Sequence, residues 1–447
     1  MDSAMPPHVV IFPMMAHGHT MPLLDLSKAL CRRGLRVTII TTPLNVPDIT
    51  SKVSKHPQIS LRVLSFPRVP DLPEGCENTA HLPSPSLILS FFKATKILKQ
   101  PFEGVLREMF EARCLPICVI SDFFLEWTLD SCGLFGISRL ASHGMGALPM
   151  AVLKAMHMQG LSSIRAMSNS DHVKFSQLDL PFAFMKGDLP YSLQIGEYLA
   201  TLESCLENKA NAWCVGPLLL VNNQVETGGN DIKNQSCPHI AWLDKQPVRN
   251  VVIYVSFGTQ SHVSDAQMDM KLQWGWRWPD QPFIWVVRSM KWSPPEGWEE
   301  RVNERGLVAR DWVDQRSILA HPSTGGFLTH CGWNSVLESL SVGVPLLAWP
   351  MGAEQGLNAK YVAEGMGAGI LVPQERKRME TKEIKVIGRD VICDGVKELM
   401  VGKRGRRARE RAQELAVMAR QAVEKGGSSD RKLDELIESL TRNKIGV

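Results

Sequence analysis

Residues 312–355 read WVDQRSILAHPSTGGFLTHCGWNSVLESLSVGVPLLAWPMGAEQ. Residues Gly326 to Thr329 form a short apolar run, the size of a buried strand. His330 to Ser335 follow as a turn, and Val336 to Leu340 have helical character until Gly343 and Pro345 stop them. A second apolar run, Val344 to Trp349, comes at once. Strand, glycine turn, helix and strand make a βαβ unit. The turn is suited to a phosphate, because a helix N-terminus offers unpaired N–H groups and partial positive charge. Gly332 allows close backbone approach, while His330, Asn334 and Ser335 add side-chain donors. In open α/β sheets ligands bind beyond the carboxyl ends of strands, where His330 falls. A plainer reading also fits: Ser335 and Glu338 have capping-box spacing, and Trp312, Trp333 and Trp349 suit a core.

The whole stretch resembles the nucleotide-sugar box of plant family-one UDP-glycosyltransferases. The match runs through Trp312, Gln315, Ile318-Leu319, His321, Phe327 to Ser335, Leu337-Glu338-Ser339, Gly343-Val344-Pro345, Trp349-Pro350 and Glu354-Gln355. Asp314 stands where proline is usual, and little is expected of it. The resemblance implies a GT-B fold: two Rossmann-like, doubly wound α/β domains facing across a cleft. It implies that Trp312 stacks on uracil beside the backbone of Val313, and that Gln315 and Glu338 hold the ribose. His330, Gly332, Asn334 and Ser335 would meet the phosphates, and Trp333, Glu354 and Gln355 the sugar. A closing glutamine goes with UDP-glucose in this family.

Composition agrees with such a protein without requiring it. The chain has 447 residues, enough for more than one domain. Its formal net charge of +4 is too mild to suggest nucleic acid or a membrane surface as partner. Ten cysteines show neither CxxC nor zinc-type spacing, so reduced thiols are expected. No apolar stretch reaches the roughly 18 residues of a membrane span, and no leader pattern opens the chain. A soluble, cytoplasmic monomer is the expectation, with no cofactor or metal and UDP-glucose as co-substrate.

The chain also opens as βαβ. His8 to Pro13 is a strand, Met14 to Pro22 a loop, Leu23 to Leu30 a helix, and Leu35 to Thr41 a strand. No G-x-G-x-x-G follows the first strand, which argues against a dinucleotide dehydrogenase. The loop carries His17 and His19 instead. Cys118 to Asp122 is a further strand ending in an acid, followed by Phe123 and Phe124. Spacing leaves Asp122 either as partner to a histidine in a general-base pair or as a helix cap. The resemblance chooses between these readings. The family's catalytic histidine lies in G-H-x-x-P, here Gly18 to Pro22, which implies His19 as base and Asp122 as its charge-stabilising partner. His17, Phe123, His143 and Met145 are then expected near the acceptor, with the helical stretch from Gly144 to His157 and the segment from Phe182 to Leu189 lining its pocket.

Residues Asn250 to Ser256 make another strand, and Ser256, Gly258 and Thr259 resemble the family's S-F-G-[ST] loop near the donor phosphates. The expected domains are 1–222 for the acceptor, a linker at 223–238, 239–428 for the nucleotide sugar, and a helix at 429–447 returning to the first domain. Two stretches depart from the family. Residues 190–213 are short, and 268–282, rich in tryptophan, break helical periodicity. The expected activity is inverting transfer of glucose to a hydroxyl of a small apolar acceptor such as a flavonoid, phenolic or terpenoid. Two alternatives remain: a sugar-nucleotide epimerase on a similar fold, and a UDP-sugar-binding homologue that has lost turnover.

Overall fold

The computed structural model describes residues 6–168, 170–175, 178–189, 212–221, 237–246, 248–259, 281–287, 296–373 and 387–442. The short segment at 190–213 and the irregular one at 268–282 lie almost wholly outside the described residues, as does most of the expected linker. The chain divides into two compact units. Among the described residues, the first holds 6–144, 212–221 and 421–442, and the second holds the remainder.

The first unit is built on a parallel sheet of β1 (His8–Phe12), β2 (Arg36–Thr41), β3 (Ile59–Val63), β4 (Cys118–Asp122) and β5 (Ser138–Ser142), ordered β3-β2-β1-β4-β5. Both faces of this sheet are covered, which is why its central strands read as unbroken apolar runs. Val9 and Ile11 pack on one side with the helix His17–Arg32, and Val10 and Phe12 pack on the other. The helix Ser428–Arg442 closes the first of these layers with Leu433, Leu436 and Leu440. Arg33 pairs with Asp430 and Asp434 on that helix, and Ser429 donates to the Gly216 carbonyl at 2.6 Å.

One element of this unit differs from the sequence expectation. The loop expected at Met14 to Pro22 is mostly helix, which begins at His17. Pro22 looks like a stop, but the helix continues through it to Arg32 without a bond from residue 22 to the Gly18 carbonyl. Hydrogen bonds from the His19 and Thr20 amides to the Ala16 carbonyl, each 2.9 Å, close the first turn regardless.

The second unit contains a two-stranded antiparallel pair, β6 (His172–Val173) and β7 (Phe184–Met185). Its main sheet is parallel: β8 (Val252–Ser256), β9 (Phe283–Val286), β10 (Gly306–Ala309), β11 (Thr324–Thr329), β12 (Leu346–Ala348) and β13 (Gly369–Leu371). The order is β10-β9-β8-β11-β12-β13, so the strand order reverses between β8 and β11. In the first sheet it reverses between β1 and β4. Ligands of doubly wound sheets bind at such reversals.

Residues 145–189 differ from the expected division, which assigns 1–222 to one domain. Gly146 packs so closely on Trp333 that a Cβ there would stand 2.9 Å from the indole. Asp188 and Lys360 form an ion pair at 2.8 Å. These contacts tie the segment to the second unit.

Candidate active site

In the first unit, β1 and β4 are neighbours, so the helix following β1 and the acid ending β4 come together. His19 Nδ1 lies 2.7 Å from Asp122 Oδ2. The carboxylate is almost fully buried, while the imidazole keeps about a fifth of its surface. Asp122 Oδ1 accepts the Phe124 N–H at 3.0 Å, so both oxygens are fixed. The capping alternative is thus partly realised, as a local turn rather than a helix cap. Trp127, not Asp122, holds the position just before the next helix, and it makes no side-chain capping bond. Phe124 flanks the His19 ring at 5.5 Å between centroids, and the Gly144 backbone closes another side.

The other acceptor-side residues are placed differently from one another. His17 begins the helix and is half-buried. Phe123 is buried and stacks on His143 with centroids 5.0 Å apart. Among the described residues the buried Nδ1 of His143 has no hydrogen-bond partner, and its pKa is lowered chiefly by burial, against the opposing pull of Asp122. Met145 belongs to the second unit and is half-buried just ahead of the helix Ala147–Gln159. Of the methionines on that helix, Met156 is core and Met158 is exposed, so they do not form one lining stripe.

In the second unit, β8 and β11 pair with Ser256 opposite Thr329. The loops after them, Phe257 to Thr259 and His330 to Gly332, therefore leave the sheet side by side. The His330 imidazole is wedged between two glycines. A Cβ on Gly258 would come within 2.8 Å of the ring, and one on Gly332 within 2.6 Å. Gly258 also needs its freedom for a φ of +75°. Burial pushes the His330 pKa down to about 4, which keeps the ring neutral. The left-handed residue of the turn is Cys331, at φ +65°, rather than Gly332. Asn358, fully buried, donates through Nδ2 to the Cys331 carbonyl at 3.0 Å and to Glu354 Oε1 at 3.3 Å.

The helix Trp333–Ser341 starts from Gly332, whose cap position carries no side-chain bond. Ser335 is thus inside the first turn and not a cap, and the capping-box alternative fails. Ser335 instead accepts from Gln315 Nε2 at 3.0 Å. The same amide donates to Glu338 Oε2 at 2.7 Å, and Gln315 Oε1 accepts from the buried Tyr254 hydroxyl at 3.2 Å. Arg316 Nε reaches the other Glu338 oxygen at 3.0 Å. Asp314, the departure from the family pattern, caps the helix Gln315–Ala320 by accepting the Ser317 N–H at 3.3 Å.

Of the three tryptophans, Trp312 is 53% exposed and Trp349 only 3%, while Trp333 is half-buried. Trp349 is a core residue, edge-on to Phe257. Trp312, beside buried Val313, presents a ring that a planar base could cover. Gln355 Oε1 accepts from the Met351 and Gly352 amides, both at 2.9 Å, folding the preceding loop around its side chain. Half-buried Asn334 follows Trp333 in the helix. Sequence reading did not single out Tyr254, Arg316, Asn358 or Gly146. Only Asn358 left a signal, four residues after Glu354 and so on the same helical face.

Residues 7–219 match the family model described as "Glycosyltransferase, N-terminal domain". Residues 209–400 match the model described as "UDP-glucoronosyl and UDP-glucosyl transferase". The chain is 36% identical to UDP-glycosyltransferase 90A1 of Arabidopsis thaliana, with 98% of this chain and 97% of that protein covered. It is 34% identical to scopoletin glucosyltransferase of Nicotiana tabacum, over 97% and 98%. Both alignments run over 482 positions, more than the 447 residues present, so both relatives carry segments this chain lacks. Among solved structures, Glycyrrhiza uralensis UGT73P12 with glycyrrhetinic acid 3-O-monoglucuronide superposes with a TM-score of 0.83. It is 26% identical, covering 98% of this chain and 96% of that one. Two doubly wound parallel sheets, their loops at both strand reversals and these similarities lead to one assignment: the chain belongs to the UDP-glycosyltransferase family, has the GT-B fold, and moves a sugar from a UDP-sugar to a small acceptor.

Proposed function

We propose that the chain transfers glucose from UDP-glucose to a hydroxyl of a small apolar acceptor, with inversion, giving a β-O-glucoside. The observation that carries this reading is the 2.7 Å contact between His19 Nδ1 and Asp122 Oδ2. It fixes the imidazole tautomer and leaves Nε2 as the atom that accepts a proton. The acceptor O–H gives its proton to Nε2 while its oxygen bonds to the anomeric carbon. The bond from that carbon to the diphosphate oxygen breaks, and UDP leaves with the electron pair. Asp122 stabilises the imidazolium that forms.

On the donor side, Trp312 supports uracil near the Val313 backbone, and Glu338 takes the ribose hydroxyls. The turn at His330 and Gly332, with Asn334, Ser335 and the helix N-terminus, receives the diphosphate charge. Ser256, Gly258 and Thr259 add the neighbouring loop, and Trp333, Glu354 and Gln355 hold the glucose. A neutral His330 serves there as a hydrogen-bond donor. The reaction so written uses neither a metal nor another cofactor. Glucose as donor is supported by the relative named as a scopoletin glucosyltransferase, and a phenolic or terpenoid acceptor by that name and by the ligand of the Glycyrrhiza protein.

The test is UDP release from UDP-glucose with a panel of phenolic and terpenoid alcohols, with and without EDTA. Acceptor-dependent release that survives EDTA and is abolished by His19→Ala supports the reading. Release without an acceptor, or release indifferent to His19→Ala, refutes it.

A further inference from the structure

We infer that Arg316 is a positioning residue for recognition of the donor ribose, acting through Glu338. The inference rests on the reading that Glu338 accepts the ribose hydroxyls. Gln315 and Arg316 are consecutive, yet both reach the same carboxylate, one at each oxygen. The distances are 2.7 Å from Gln315 Nε2 to Oε2 and 3.0 Å from Arg316 Nε to Oε1.

The hydrogen-bond inventory of Gln315 shows why the work falls on Glu338. Its two amide hydrogens go to Ser335 Oγ and Glu338 Oε2. Its carbonyl oxygen is turned to the Tyr254 hydroxyl, whose ring is fully buried. A glutamine held on three sides has no amide hydrogen left for a ribose, and only one lone pair of its carbonyl oxygen remains for a ribose hydroxyl. It also acts as one jaw of a clamp on Glu338, and Arg316 is the other jaw. Each carboxylate oxygen keeps a second lone pair, so the clamped group can still accept two neighbouring hydroxyls.

Arg316 adds what a neutral jaw cannot. Glu338 is mostly buried in a region that must also receive a diphosphate, and an uncompensated carboxylate would repel it. The guanidinium balances that charge, and its Nε contact fixes the carboxylate rotamer. Asp314 in turn sets Arg316, because capping the helix at 314 defines where residues 315 and 316 project.

The experiment is calorimetric binding of UDP and of 2′-deoxy-UDP to the full chain, without turnover. The unaltered protein should prefer UDP by about tenfold or more, the size of a hydrogen bond to a charged acceptor. Arg316→Gln should reduce that preference to under about threefold, and Arg316→Lys should restore part of it. Trp312→Ala, which removes the base platform, should weaken both nucleotides and leave their ratio alone. A ratio unchanged in Arg316→Gln, or equal losses for both nucleotides, would overturn the role of Arg316 alone. Equal binding of the two nucleotides by the unaltered protein would overturn the assignment of Glu338 and the inference with it. Neither result depends on glucosyl transfer, so the transferase reading is tested separately.

Discussion

Replacing Asp122 with asparagine changes one atom at the heart of the first unit, and the structure gives the size of the effect. Oδ1 of Asp122 accepts the Phe124 N–H at 3.0 Å, so an asparagine keeps its carbonyl oxygen there. Its NH₂ then replaces Oδ2, 2.7 Å from His19 Nδ1. A donor in that place demands a lone pair on Nδ1, which moves the ring proton to Nε2 and removes the base. Turning the amide around restores the tautomer but sets NH₂ against the Phe124 N–H. That costs about 1–3 kcal/mol for a lost buried hydrogen bond. The imidazolium also loses its charged partner, worth about 1.5–3 kcal/mol. At 1.36 kcal/mol per decade the sum is about 10²- to 10⁴-fold in kcat. Saturation kinetics would measure it, with His19→Ala expected to fall equally far and the KM for UDP-glucose to stay within about twofold. Asp122→Asn retaining more than about a tenth of the wild-type kcat would refute the tautomer argument.

Gly258→Ala should weaken UDP binding by about tenfold or more in calorimetry, because a left-handed alanine costs about 1–2 kcal/mol and its methyl would press on His330. The folded protein holds His330 neutral with a pKa of about 4, so the unfolded chain takes up its proton first as pH falls. Stability should therefore drop between about pH 6.5 and 4 by up to about 3 kcal/mol from this residue; His330→Asn should flatten that slope in urea titrations at pH 7 and 4.5. Lys360 is nearly buried against Asp188, so Lys360→Met should cost about 3–5 kcal/mol by stranding the acid. Adding Asp188→Leu should recover part of that in thermal melts, and a double variant less stable than Lys360→Met would contradict the pairing.

The sequence was most legible where period and turn chemistry agree. Thr324–Thr329, the turn at His330 and the helix at Trp333 form the expected unit, because a parallel strand buried on both faces announces itself as an apolar run. Spacing alone leaves Asp122 open as a cap, and it is the resemblance at Gly18 to Pro22 that pairs it with His19; the adjacency of β1 and β4 that brings them together is seen only in the structure. Side-chain geometry was less accessible. Ser335 and Glu338 have capping-box spacing, but the helix starts at Gly332, so Ser335 turns to Gln315. Pro22 resembles a stop and is not one: the helix runs on from His17 to Arg32 with the N–H of one residue missing. The left-handed turn position went to cysteine because Asn358 and Thr329 hold its backbone from both sides. The placement of 145–189 in the second unit rests on long-range contacts, Gly146 with Trp333 and Asp188 with Lys360, that no local pattern encodes.

The closing helix of the first unit, Ser428–Arg442, comes after the whole of the second in chain order. Leu433, Leu436 and Leu440 lie in one core layer with Val9 and Ile11, residues made several hundred positions earlier. A nascent chain therefore waits with that layer covered by the helix His17–Arg32 but still lacking Leu433, Leu436 and Leu440, while several hundred residues emerge behind it. The first unit therefore cannot be completed until residues 428–442 have been made. A fragment ending before residue 428 should collect in aggregates rather than yield a free-standing first unit, and a helical peptide spanning 428–442 supplied in trans should rescue it.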